Sequence, residues 1–276
     1  MKSTHPKKSY NRGVCALIRR MLVCSIAVAV LLPLLACVAD ALPSVQVKGE
    51  AVPIRGFPHT GNIFGAGAAV RAQIHISGTE YGGFPPPLIG VTAFLPAGVH
   101  LHPQGFPTCP FKTLVEEREP RRCPKGSAAG PVGKVEGVVA FGEERVHESA
   151  ELSSFFAPGG GLEFFTDGHS PVSLEIPSTA QFTHLNGAGG FGPELIAQVP
   201  LVETVPGAPD ASVESIDITV GSAYHKNGKT IYYGRVPKTC PKGGFRVRGE
   251  MTFAEGGDPS RPETVALNFR APCPHH

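Results

Sequence analysis

The sequence predicts an all-β fold: an antiparallel β-sandwich, Ig-like or jelly-roll-like, with long Gly/Pro-rich loops and an N-terminal signal helix ahead of it. Three observations carry that expectation. Short runs of alternating apolar and polar residues recur along the body; 34 Gly and 28 Pro among 276 residues punctuate them; and hardly a stretch shows the 3.6-residue period of a crossover helix. A hydrophobic fraction of 41% and a formal charge of only +2 set the chain apart from disordered polymers.

Residues 1–41 read as an export signal. Lys2, Lys7, Lys8, Arg12, Arg19 and Arg20 precede an acid-free apolar run over 21–39, and Ala39-Asp40-Ala41 places small residues at −3 and −1 of a cut after Ala41. Two other readings stay open. Leu34-Leu35-Ala36-Cys37 resembles a lipobox, with Cys37 as the lipidation site, and a run of this length just spans a bilayer if left uncut, although Pro33 weakens such a helix. All three place the body outside the cytoplasm, secreted or anchored to the cell envelope, with membrane contact only through this segment.

Without the leader the chain carries 19 basic and 22 acidic residues, a charge of −3, so the basic precursor says nothing about nucleic acid. No segment of the body concentrates Lys and Arg with interleaved aromatics, and a nucleic-acid partner is not expected. Cys15, Cys24 and Cys37 leave with the leader. Cys109, Cys123, Cys240 and Cys273 remain, an even set in an oxidising compartment, which reads as two disulfides.

Residues 42–60 read as a linker into a sandwich over 61–276. Its first strand is 70–77, where Val70, Ala72, Ile74 and Ile76 alternate with Arg71, Gln73, His75 and Ser77. Further strands are expected at 88–95, 134–141, 147–156, 162–166, 172–176, 195–202, 212–224, 229–237, 245–253 and 263–270. The last four are expected as a meander. Asn227-Gly228, the favoured pair of a type I′ turn, joins the first two. Phe245, Val247, Met251 and Phe253 face one side of the third, and Val265, Leu267 and Phe269 repeat the pattern in the fourth.

That meander returns Cys273 to the end of the sheet where Cys240 sits, predicting a 240–273 bridge. The remaining pair, Cys109 and Cys123, then staples the charged loop 110–122. A zinc site with four Cys ligands fits poorly, because separations of 14 and 33 lack the close pairs such sites use. Cys123-Pro-Lys-Gly126 matches Cys240-Pro-Lys-Gly243, which raises a division into halves near 178–190; one extended sandwich is the simpler reading.

The strings Gly61-Asn-Ile-Phe-Gly-Ala-Gly67, Gly82-Gly-Phe-Pro-Pro-Pro-Leu-Ile-Gly90, Cys123-Pro-Lys-Gly-Ser-Ala-Ala-Gly130 and Gly161-Leu-Glu-Phe-Phe-Thr-Asp-Gly-His-Ser-Pro171 carry a resemblance. Over most of 55–273 the chain resembles a group of secreted proteins from high-GC actinobacteria. That group has no known activity, so the resemblance implies export and transfers no site residues.

Candidate chemistry is sparse. Asp167-Gly168-His169-Ser170 holds three triad residue types, but Pro171 offers no N–H to an oxyanion hole and near-consecutive residues cannot form the relay. A turn is the plainer reading. His100 and His102, two apart on extended chain, project to one side and make the candidate metal pair, with His169, His184, His225, His275 and His276 as further donors only if the fold gathers them. Glu163, Glu175 and Glu194 are the candidate carboxylates of an extracellular carbohydrate hydrolase, a reading weakened by the absence of Trp. Gly65-Ala66-Gly67 precedes a strand rather than a helix, which argues against a nucleotide loop.

The function this supports is an exported or cell-surface binding or structural module without enzymatic activity and without a cofactor. Its partner is expected to be an extracellular molecule or polymer whose identity the residues do not specify. Loops 78–90, 157–161 and 186–193 are the expected contacts, unless Phe84, Phe106 and Phe191 pack inward.

Overall fold

The computed structural model describes residues 42–57, 64–141, 144–170, 172–184, 188–204 and 206–273. The expected leader and signal helix, Cys37, and the pair His275 and His276 fall outside the described residues.

Alternation decides the strands. In order they are β1 (Ser44–Val52), β2 (Ala69–Ser77), β3 (Leu88–Pro96), β4 (His100–Leu101), β5 (Gly133–Phe141), β6 (Glu144–Phe156), β7 (Leu162–Gly168) and β8 (Leu174–His184). Then follow β9 (Phe191–Gln198), β10 (Ser212–Val220), β11 (Ala223–Lys226), β12 (Lys229–Tyr232), β13 (Gly234–Arg235), β14 (Phe245–Ala254) and β15 (Pro262–Ala271). One six-residue helix, α1 (Phe111–Glu116), lies between β4 and β5.

The all-β, antiparallel character is as expected, but the strands do not divide into two hydrogen-bonded layers. Eleven of them join in one sheet, ordered β1-β2-β10-β5-β6-β7-β8-β9-β3-β14-β15, every pair antiparallel. The sheet curls. Val45 on one edge strand and Val265 and Leu267 on the other pack into the same cluster around Ile76, Leu88, Met251 and Phe253, together with Val213 and Ile216 of β10. An odd number of antiparallel strands makes the two edges run in the same direction, so closure by antiparallel hydrogen bonding is impossible. Side chains cover the seam instead, with the ring of Phe269 lying over Gly49 of β1.

Two further expectations change. Residues 44–52, read as part of a linker, are the edge strand β1, paired along its length from Ser44↔Ser77 to Val52↔Ala69. The C-terminal meander is interrupted: β11 and β12 pair around Asn227-Gly228 as a separate hairpin, β13 pairs with β4, and β14 lies between β3 and β15. Positive φ at Asn227 (51°) and Gly228 (72°) fits the type I′ geometry read from the sequence. β8 and β9, which flank the 178–190 region, are hydrogen-bonded neighbours in the same sheet.

Both disulfides form as paired from the sequence. Cys240 and Cys273 bridge at a Cα separation of 6.0 Å, next to the Phe245↔Ala271 end of the β14–β15 hairpin. Cys109 and Cys123 bridge at 5.1 Å and hold α1 against the outer face of β6 and β7, where Leu114 is fully buried against Phe155 and Phe165. This cover explains why the end of β6 is buried on both faces. Among the described residues no helix is long and apolar enough to cross a membrane.

Candidate functional site

Short elements plug one end of the curled sheet. Phe106, Tyr233 and Tyr224 pack onto Phe156, Leu162 and Ala180 of the sheet's concave face, with ring centroids 4.4 Å apart for Phe156 and Tyr233 and 4.8 Å for Phe106 and Phe156. The Tyr233 hydroxyl donates to the carbonyl of Gly160 at 3.0 Å, and burial pushes this phenol well above its ordinary pKa, so it stays protonated and structural.

The plug also builds a cleft. In the β4–β13 pair, Arg235 lies opposite His100 and Gly234 opposite Leu101. Directly opposed residues share a face, so Arg235 and His100 project together while Leu101 turns into the aromatic cluster. His102 follows two residues on, fixed by its N–H donating to the carbonyl of Tyr233 at 2.7 Å. With Tyr232 and Lys238 these side chains line a recess of about 470 Å³, which Leu101, Ile231 and Val236 also border. Tyr232 is seated over Gly67, where any Cβ would overlap its ring.

Electrostatics set this cleft apart. His100, His102, Arg235 and Lys238 are exposed, and none is hydrogen-bonded or ion-paired through its side chain to another described residue. Among the described residues the lining has no Asp or Glu. A second recess of about 510 Å³ on the outer face of β1, β2, β10 and β5 is the opposite case. There Arg71 and Gln73 both donate to Asp217, at 2.6 and 3.0 Å, and Lys134 and Ser215 to Glu136, at 2.6 and 3.1 Å. The hydrogen bond from Arg71 holds the Asp217 carboxyl below the usual range, and that from Lys134 does the same for Glu136. Its charged pairs satisfy each other.

The other sequence candidates disperse. His225 stacks on Phe57 at 5.0 Å and His169 sits 3.4 Å from Asp167, both away from the cleft, and no group of three His, Cys, Asp or Glu suited to a metal occurs among the described residues. Ser170 acts through its backbone: its N–H and that of Val172 donate to the buried Glu148 carboxylate at 3.1 Å each, closing a turn. Glu163 lies opposite Thr179, whereas Glu175 lies opposite Asp167 and Glu194 opposite Thr183. Each is thus offset from Glu163 by four residues along the strands, about 13 Å, which is too far for a glycosidase pair.

The phenylalanines that are candidates for loop contacts pack against the body. Phe106 and Phe191 are 7% and 8% exposed. Phe84 packs edge-on to His147 and under the Arg145 guanidinium, 5.0 Å from the ring centroid, and Pro86 and Pro87 are fully buried. Sequence reasoning missed Arg235, Lys238 and Tyr232. Their partners on β4 are far away in the chain, and only the β4–β13 pairing joins them.

Comparison of the chain with protein-family models, with curated proteins and with solved structures gives no significant match.

Proposed function

We propose that the chain is an exported binding protein without enzymatic activity, whose ligand engages the cleft at the plugged end of the sheet. One observation carries this reading: the side chains of His100, His102, Arg235 and Lys238 converge on one recess without a side-chain partner among the described residues, whereas the acidic groups of the second recess are paired with Arg71, Gln73, Lys134 and Ser215. Export is supported by the leader, by two disulfides of the kind that persist in oxidising compartments, and by the resemblance to secreted actinobacterial proteins. Cleavage after Ala41 is the proposed route; acylation at Cys37 is the envelope-anchored alternative.

Two experiments test it. Intact mass of the native protein after thiol alkylation under non-reducing conditions should show a chain starting at Leu42 with no alkylated Cys. Acylated Cys37 would instead mean an anchored form, and a chain retaining Met1 in the cytosol overturns export. For binding, thermal-shift screening against extracellular polysaccharides and charged and neutral metabolites should yield a ligand that stabilises the wild type and not the Arg235→Ala/Lys238→Ala variant. Ligands that shift both proteins equally remove the cleft from consideration.

A further inference from the structure

We infer that the cleft takes an anionic group, a carboxylate or phosphoryl, carried on an apolar or ring-bearing body; this rests on the cleft being the binding site. Arg235 and Lys238 bring a guanidinium and an ammonium to the recess, and among the described residues no Asp or Glu lines it. A guanidinium offers five N–H donors and an ammonium three, and the two imidazoles add further donors. None of these is engaged by another described side chain. Oxyanions match such a donor set, because Arg recognises carboxylate and phosphate oxygens in a bidentate fork and Lys adds a point charge.

The same residues disfavour a metal ion. Two imidazoles supply two ligands, short of the three or four that zinc or copper sites use, and two permanent cations in the same recess repel a third. The remaining lining defines the rest of the ligand. Leu101, Ile231 and Val236 border the recess where they join the neighbouring apolar clusters, Tyr232 lines it beside them, and about 470 Å³ lies within the range of small-molecule sites. A ring or short apolar stem would rest there with its charged end toward Arg235 and Lys238.

The test uses the purified protein with its disulfides intact and follows the His ring signals by NMR during titration with benzoate, phenyl phosphate, benzamide and zinc. Benzoate or phenyl phosphate should shift the His100 and His102 signals saturably, and the tighter of the two identifies the carboxylate or phosphoryl source. Benzamide, the neutral counterpart, should bind at least tenfold more weakly. Arg235→Gln/Lys238→Gln should weaken the anions at least tenfold with the melting temperature unchanged, and His102→Gln, which keeps both cations, should have a smaller effect. Benzamide binding as tightly as benzoate at the same signals overturns the anion inference and leaves the cleft as a binding site. Anions that leave these signals unmoved, with no neutral compound moving them either, overturn both. One zinc ion bound at His100 and His102, unaffected by the anions, replaces the inference with a metal site.

Discussion

The ring of Phe269 on β15 lies 3.2 Å from the position a Cβ at Gly49 of β1 would occupy. This contact joins the two edges of the sheet where hydrogen bonds do not. Phe269→Ala should cost about 2 kcal/mol, less than the 3–5 typical of a fully buried ring because Phe269 is only half-buried. Gly49→Val should also destabilise, since the ring must move aside. Chemical denaturation measures both, and amide exchange should quicken along β1 and β15 before the central strands. Uniform acceleration would show that the seam is not a separate unit.

Arg145 braces the opposite end. Its guanidinium stacks over Tyr81 and Phe84, at 4.6 and 5.0 Å, and donates to the Tyr81 carbonyl at 2.7 Å and to the Ser212 hydroxyl at 3.2 Å. Arg145→Ala should lower stability by about 2–3 kcal/mol. Lys should recover less than half of it, because an ammonium cannot stack flat on two rings and reach both acceptors. Full rescue by Lys would mean that charge alone matters.

Glu163 gives a pH dependence. It is 4% exposed, and burial raises its carboxyl pKa, with a hydrogen bond from Thr179 pulling partly back. A raised folded-state pKa means that the native protein binds the proton more tightly than the unfolded chain. The associated stabilisation is therefore present below the ordinary Glu range and is lost as pH rises through the folded value. Glu163→Gln keeps the shape without the charge. Its melting temperature should match wild type near pH 4 and exceed it increasingly toward pH 7; a constant offset would show that Glu163 does not titrate across that window.

The two bridges should separate by what they hold. Chain entropy predicts about 3 to 4 kcal/mol for each, from loops spanning 14 and 33 residues. Cys109→Ala/Cys123→Ala should cost more than its shorter loop implies, since Leu114 also loses its seat against Phe155 and Phe165. Equal or smaller loss from this pair, read by denaturant midpoints, would show that α1 stays docked without the bridge.

How much the sequence discloses varies by element for physical reasons. β2, β14 and β15 are legible because one face meets the core and the other water, so hydropathy alternates along them. β8 is legible only to Ile176: Pro177 argues against continuation, yet the strand runs on to His184. In β1, Val45 and Val47 alternate with Gln46 and Lys48, but the pattern stops at Gly49, where the interior requires the absence of a side chain. The cleft is half legible. His100 and His102 announce themselves by spacing, whereas Arg235 and Lys238 join them through a pairing that no local pattern encodes.

The strand order also fixes when the molecule can be finished. β2 lies between β1 and β10, and β3 between β9 and β14, so strands synthesised early wait for neighbours synthesised late. The outermost contact, Phe269 on Gly49, joins the first strand to the last. Such long-range pairing slows folding, because loop-closure entropy comes before the contacts that offset it. A chain still being synthesised can form the β5–β6–β7–β8–β9 stretch of neighbours but no complete sheet. The sheet is therefore completed only after β15 has been synthesised, and until then the β5–β9 stretch keeps two unpaired edges.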